Sequence, residues 1–243
     1  MLLLAVDTSS PSGSLAILRD DNVMGAVATA SREIYSSRVF RHLEFLLGEL
    51  SLRLEDFDVF AVAAGPGSFT GLRVGLAAVK GWAEVYGKPI AAVSALEAVA
   101  MQSRSRAATV ASVMDARRKE FYWGIYGRRD AGSGARLELQ NHEAVGTREE
   151  LLRAISGCDA DGDFAIATPS PAMVNEALSQ SEIGSAIARR VSVDRVSSIL
   201  APEIGYLGWI QAQEGNLANS LTLDANYIRR SDAELHWKGS AGS

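Results

Sequence analysis

Seven residues in the first third of the chain read Gly65-Pro66-Gly67-Ser68-Phe69-Thr70-Gly71, and they separate two apolar segments. The run before them, Val59–Ala64, is short and continuously apolar, which predicts a buried strand. From Thr70 the apolar residues recur with helical spacing as far as Tyr86, and Gly87 follows as a C-terminal stop. The sequence therefore predicts a strand, a tight glycine turn and a long helix in succession.

Similar elements lie on both sides of this turn. Three predicted strands and a helix precede it, and a second series of strands and helices begins near Ala107 and ends in a strand-like segment, Leu221–Ile228. This order predicts an α/β fold of two related halves with mixed sheets. The predicted divisions are an N-terminal domain at 1–104, a smaller C-terminal domain at 105–238 and a flexible tail at 239–243.

The composition is that of a soluble globular protein. The 243 residues include 24 Lys and Arg against 29 Asp and Glu, a formal net charge of −5. An acidic pI near 5.3 argues against a protein that binds nucleic acid alone. The single cysteine, Cys158, excludes an intrachain disulfide framework, and the three widely separated histidines predict no metal site. No apolar run is long enough to span a membrane, so we expect a cytoplasmic protein.

Basic residues are concentrated in one part of the chain. Residues 101–130 carry seven basic side chains against three acidic ones. Three of the basic residues, Arg117, Arg118 and Lys119, fall at the tip of a predicted hairpin. A solvated tip is the favoured interpretation, and a docking edge for an acidic partner is the alternative.

The glycine turn and the end of the first strand are the two candidate chemical sites. Glycines between a strand and a helix can bind phosphate, but no lysine follows them and Pro66 removes one N–H donor. Asp7 and Thr8, after the apolar run Leu2–Val6, could hold a magnesium-bound phosphate or could cap their own turn. The structural turn is the favoured interpretation, and a degenerate nucleotide site at Asp7 and Thr8 is the alternative.

The helix after the glycine turn has two apolar faces. Gly71, Gly75 and Ala78 share one face that carries almost no side chain, and leucines and valines form the other. Such a helix is either buried in its own domain or open to a helix of another chain, which the small residues allow to approach closely. We favour the partner. The helix Arg38–Leu50, with Phe45 on an otherwise polar stripe, is the expected neighbour.

Four motifs resemble one family in their order along the chain. They are Leu4-Ala5-Val6-Asp7-Thr8-Ser9, Ala64 through Gly75, Val93-Ser94-Ala95-Leu96-Glu97-Ala98 and Met114-Asp115-Ala116-Arg117-Arg118. The sequence is similar to the TsaB family, formerly YeaZ, over roughly residues 1–125 and only loosely beyond. The terminal family motif departs from the pattern, reading Ala225-Asn226-Tyr227-Ile228-Arg229 here.

The resemblance implies a two-domain actin-like, sugar-kinase-like fold and an accessory role in tRNA threonylcarbamoyladenosine synthesis. It implies a non-catalytic scaffold that forms a heterodimer with the catalytic paralogue TsaD, works with the ATPase TsaE, and forms a homodimer when alone. ATP and Mg²⁺ would belong to the assembled complex, and tRNA would be contacted only through it. The two metal-binding histidines of the paralogue align with Ala95 and Val99, which cannot bind a metal.

The resemblance and the helix pattern together predict a partner interface on the two N-terminal helices. Its expected residues are Arg38, His42, Phe45, Gly71, Gly75, Ala78 and Trp82. The alternative function is an independent ATP-dependent phosphotransferase of the same fold, motivated by Asp7, Thr8 and the glycine turn. A peptidase ranks lowest, because the sequence supplies no triad, metal or thiolate site for one.

Overall fold

A computed structural model describes residues 1–30, 35–131, 134–157, 164–226 and 228. The strands of the first sheet are β1 (Leu2–Asp7), β2 (Ser14–Arg19), β3 (Asn22–Ala28), β4 (Val59–Gly65) and β5 (Ile90–Ser94). Their order across the sheet is β3-β2-β1-β4-β5. The first three strands pair antiparallel, and β4 runs parallel to both β1 and β5. The predicted strand before the glycine turn is therefore the parallel neighbour of β1.

The second sheet repeats this arrangement. Its strands are β6 (Thr109–Asp115), β7 (Glu120–Ala131), β8 (Gly134–Leu139), β9 (Ala144–Thr147), β10 (Phe164–Thr168) and β11 (Val191–Arg195). The order is β11-β10-β6-β7-β8, with β9 paired to β7. Strands β6, β7 and β8 pair antiparallel, and β10 is parallel to β6 and β11. The prediction of an α/β fold with two related halves and mixed sheets is confirmed.

The helices form three layers around the two sheets. They are α1 (Tyr35–Leu50), α2 (Phe69–Tyr86), α3 (Ala95–Met101), α4 (Arg148–Ser156), α5 (Pro171–Ser179), α6 (Glu182–Ala188) and α7 (Ala201–Gln213). Helices α1 and α2 bury their apolar sides against one face of the first sheet, and α4, α5 and α6 cover the outer face of the second. Helices α3 and α7 lie between the sheets in a core that both sheets share.

The chain returns to the first sheet after completing the second. Helix α7 packs on the first sheet so closely that a Cβ built on Gly205 would lie 2.1 Å from Leu18 Cδ1, and one on Gly208 would lie 2.7 Å from Ala61 Cβ. Beyond α7, Leu223 is buried in the core beneath α1 and α2. The predicted C-terminal domain at 105–238 is therefore wrong for Ala201–Asn226, because glycines on α7 allow it to seat on the N-terminal sheet. The predicted tail at 239–243 lies outside the described residues.

Candidate functional site

The turn after β1 and the glycine turn after β4 are packed directly against each other. The Ser68 amide donates to the Ser9 carbonyl at 2.7 Å, and Thr8 Oγ1 donates to the Gly71 carbonyl at 2.7 Å. Asp7 Oδ1 accepts from both the amide and the hydroxyl of Ser9, at 2.8 and 2.6 Å. Side chains of the first turn thus cap their own backbone and the start of α2.

This packing fills the space between the two turns at the predicted nucleotide site. A Cβ at Gly67 would lie 2.6 Å from the Ser9 carbonyl oxygen, and one at Gly71 would lie 2.0 Å from that of Thr8. Because a single carbon atom does not fit between the two turns, a phosphate group cannot lie there either. Asp7 and Thr8 are buried, with 0% and 2% of their surfaces exposed. The packed turns therefore weaken the case for an independent phosphotransferase, and the degenerate nucleotide site at Asp7 and Thr8 stays a prediction.

Asp7 has a buried carboxyl group that is hydrogen-bonded through one of its two oxygens. Its Oδ2 is buried and has no hydrogen-bond partner among the described residues. Burial raises the pKa of Asp7 to about 6, because loss of hydration outweighs the two hydrogen bonds from Ser9. The charged form therefore destabilises the folded chain at neutral pH.

The predicted small-residue face of α2 is covered by the chain itself. Gly75 is buried, and a Cβ there would lie 2.4 Å from Thr8 Oγ1. Gly71 meets the Thr8 backbone in the same way. The prediction that Gly71 and Gly75 face a partner helix is wrong, because the turn after β1 packs where their side chains would be. Ala78 and Trp82, the other predicted interface residues of α2, are half-buried.

Two of the predicted interface residues on α1 are also turned inward. Arg38 is 3% exposed, and its Nη1 donates to the carbonyl and hydroxyl oxygens of Thr29 at 2.8 and 2.9 Å. His42 Nε2 lies 3.2 Å from the same hydroxyl. Burial, reinforced by the charges of Arg38 and Arg41, lowers the pKa of His42. Arg38 and His42 therefore join α1 to the segment after β3, and the prediction that they face a partner is wrong.

A different set of residues on the same two helices forms an exposed apolar surface, the α1–α2 face. On α1, Phe40 and Phe45 are each 55% exposed, and on α2 Val85 is 75% exposed. Ala77 and Gly81, which precede Val85 on α2, are also exposed. Nothing lies within 4 Å of a Cβ built on Gly81. The Phe40 ring meets the half-buried Trp82 ring edge-on at 6.3 Å. Of the predicted interface residues, Phe45 lies on this face.

The predicted basic tip joins β6 to β7 in an unusual backbone conformation. Arg117, Arg118 and Lys119 have φ angles of 65°, 55° and 64°, in the left-handed region that costs a non-glycine residue roughly 1–2 kcal/mol. Asp115 Oδ1 accepts from the Arg117 amide at 2.7 Å, and the Ala116 amide donates to the Glu120 carbonyl at 3.0 Å. The three basic side chains are exposed on this ordered turn.

A cavity of about 430 Å³ opens at the junction of the two halves, and we call it the junction cavity. Its lining residues come from the β5–α3 corner, strand β7, the β8–β9 segment and the stretch after α7: Ser94, Glu97, Tyr126, Leu139, His142, Glu143 and Asn226. Sequence reasoning missed this site, because its residues are distant in sequence and Glu97 fits a capping pattern after Ser94. In the structure, Ser94 caps α3 by accepting from two amides.

The sequence matches a known protein family over most of its length. The family model TsaD: tRNA N6-adenosine threonylcarbamoyltransferase matches residues 22–224. The TsaB protein named for tRNA threonylcarbamoyladenosine biosynthesis is 36% identical over 126 residues in Bacillus subtilis, covering 52% of this chain and 55% of that protein. Its Escherichia coli counterpart is 32% identical over 134 residues, covering 54% and 58%. The chain belongs to this family, in its TsaB (YeaZ) branch.

Solved structures agree with the TsaB assignment. YeaZ from Pseudomonas aeruginosa superposes with a TM-score of 0.73 at 27% identity, covering 93% of this chain and 99% of that one. A ROK family protein from Streptococcus pneumoniae gives 0.51 at 9% identity over 88% and 100% of the two chains, a likeness of fold alone. The actin-like, sugar-kinase-like fold is thereby confirmed. In matched sequence, the chain spans a little over half the length of the two curated TsaB relatives.

The two positions predicted to align with the metal-binding histidines of the paralogue lie in the core. Ala95 and Val99 are each 0% exposed and pack in the core shared by the two sheets. Among the residues that the structure describes, no group of three or more His, Cys, Asp or Glu side chains could hold a metal ion. None of the described helices combines the length and apolar character that a membrane crossing requires. Cys158 lies outside the described residues.

Proposed function

We propose that this chain is a non-catalytic scaffold subunit in tRNA threonylcarbamoyladenosine synthesis, paired with a TsaD-type catalytic paralogue. The observation that carries the pairing is the exposed α1–α2 face. The names of the Bacillus and Escherichia relatives place those proteins in the same biosynthesis. Through the family resemblance, a TsaE-type ATPase, ATP and Mg²⁺ belong to the assembled complex, a homodimer forms when the chain is alone, and the complex works in the cytoplasm.

The α1–α2 face has the composition of a protein interface. Aromatic and aliphatic side chains there are exposed to water, and their burial on association is favourable. Phe40 is held against Trp82, so little side-chain freedom remains to be lost when a partner docks. Ala77 and Gly81 allow the backbone of a partner helix to come close to α2. These features favour a helix pair of the partner as the binding element.

Light scattering of this chain mixed with its cognate TsaD-type paralogue tests the proposal. We expect one species with the summed mass at micromolar concentration, and we expect Phe40→Glu combined with Val85→Glu to return two separate species. Ile183→Glu is the matched control, because Ile183 is 49% exposed on α6 of the other domain. Two species for the wild-type pair, or an unaffected double variant, would contradict the proposal.

We further propose that the basic tip contributes to a tRNA-binding surface of the assembled complex. Three cations on one ordered, exposed turn suit a phosphate backbone, and Asp115 beside them only partly offsets their charge. With Arg117→Glu and Arg118→Glu together, assembly should persist while tRNA modification and salt-dependent tRNA binding by the complex fall. Unchanged tRNA binding would restrict the tip to a solvated turn.

A further inference from the structure

The junction cavity contains one carboxylate that is already fixed by its surroundings. Glu143 Oε1 accepts from the Ser94 hydroxyl and, at 2.8 Å, from the Tyr126 hydroxyl. Its Oε2 accepts from Asn226 Nδ2 at 2.9 Å. Three donors from three separate segments therefore hold Glu143 in one orientation at the lining of the cavity.

A second carboxyl in the cavity has no such support. Glu97 projects from the first turn of α3 and is half-buried, and neither it nor Glu143 forms an ion pair among the described residues. Burial, together with the charges of Glu143 and Glu214, raises the pKa of Glu97 to about 7. The cavity therefore presents a carboxyl that loses hydration without gaining a partner.

The charged and polar groups around Glu97 leave its carboxylate without an ion-pair partner among the described residues. The Tyr126 phenol of β7 lines the same cavity, as does Glu143 of the β8–β9 segment, with His142 at the exposed rim. The charge of Glu214, just after α7, also acts on Glu97, and Glu214 itself pairs with Arg136 of β8. Leu139 supplies an apolar wall. A ligand that carries positive charge on a small apolar stem would complement this lining.

We propose that the junction cavity binds a small organic cation whose ammonium or guanidinium group lies between Glu97 and Glu143. Glu143 supplies a preoriented acceptor, and Glu97 supplies the carboxylate that the cation neutralises. The two carboxylates come from different halves of the fold, so the ligand also bridges the halves. The ligand class is therefore a free amine or guanidine on a small apolar stem.

Isothermal titration calorimetry of the full chain with agmatine, which carries one guanidinium and one ammonium group, tests this site. We expect saturable binding that Glu97→Gln weakens by about tenfold or more, the effect of removing a charged acceptor. Glu44→Gln, an exposed carboxylate on α1, is the matched control and should bind like wild type. Absence of binding at millimolar agmatine would overturn the proposal, as would equal affinity of Glu97→Gln.

The proton balance of binding separates this site from nonspecific attraction. Near pH 7 about half of the Glu97 side chains are protonated, so cation binding should release roughly half a proton per site. Titration in buffers of different ionisation enthalpy measures this release, and Glu97→Gln should abolish it. Displacement of agmatine by equimolar Mg²⁺ would overturn the proposal in favour of a metal site.

Discussion

The contrast between two glycines on α2 gives the sharpest test of how the glycine turn is used. At Gly71 a Cβ would lie 2.0 Å from the Thr8 carbonyl oxygen, a backbone atom that cannot move aside alone. At Gly81 the position is open, because nothing lies within 4 Å of a Cβ built there. Both substitutions to alanine gain the same helix propensity, up to about 1 kcal/mol. The difference between the two variants therefore isolates the overlap with Thr8.

We expect Gly71→Ala to be less stable than Gly81→Ala by about 1–3 kcal/mol, the usual cost of forcing a methyl group into a packed site. Urea unfolding of both variants, compared through their midpoints and slopes, measures the difference. Equal stability of the two variants would refute the close packing of the glycine turn on Thr8. It would also return the small-residue face of α2 to the list of possible partner surfaces.

Three further predictions concern the packing of α7, the buried side chain of Leu223 and the buried carboxyl of Asp7. Gly208→Leu should destabilise the chain by about 1–3 kcal/mol, because a Cβ there already lies 2.7 Å from Ala61 Cβ; an unchanged urea midpoint would place α7 elsewhere. Leu223→Ala should cost about 2–5 kcal/mol while Leu221→Ala, at an 89% exposed site, costs little. The pKa of Asp7 is about 6 in the folded state and 3.8 in the reference state. The protonated carboxyl therefore contributes fully to stability at low pH, and this contribution is lost as the pH rises through 6. Asp7→Asn should therefore remove about 1 kcal/mol of the stability difference between about pH 5 and about pH 8, and an unaltered pH profile would contradict the buried-carboxyl assignment.

Local patterns predicted most of the elements. The strand, glycine turn and helix at Val59–Tyr86 were predictable because a continuous apolar run, a glycine cluster and helical spacing are each local signals. The strand-like segment at Leu221–Ile228 was not a strand over its described residues, although Leu223 is buried. Leu223 packs in the core beneath α1 and α2 while Leu221 is exposed, and this division is a tertiary role that periodicity does not encode.

The candidate surfaces were predictable only in part. Helical spacing correctly separated a small face of α2 from a bulky one, but it could not say which of them the turn after β1 would cover. Arg38 and His42 were expected at the surface because they are polar. In the structure both contact Thr29, and this tertiary contact is not visible in the local sequence pattern. Glu97 and Glu143 meet only because α3 packs between the two sheets, so no local pattern brings them together.

Hydrogen–deuterium exchange of this chain with and without its TsaD-type paralogue tests the central claim most directly. The account predicts that protection appears in α1 and α2, strongest around Phe40, Gly81 and Val85, while the glycine turn at Gly65–Gly71 is equally protected in both states because it is already packed on Thr8. Protection confined to the second sheet and its helices, or none on mixing, would contradict the scaffold role of the α1–α2 face.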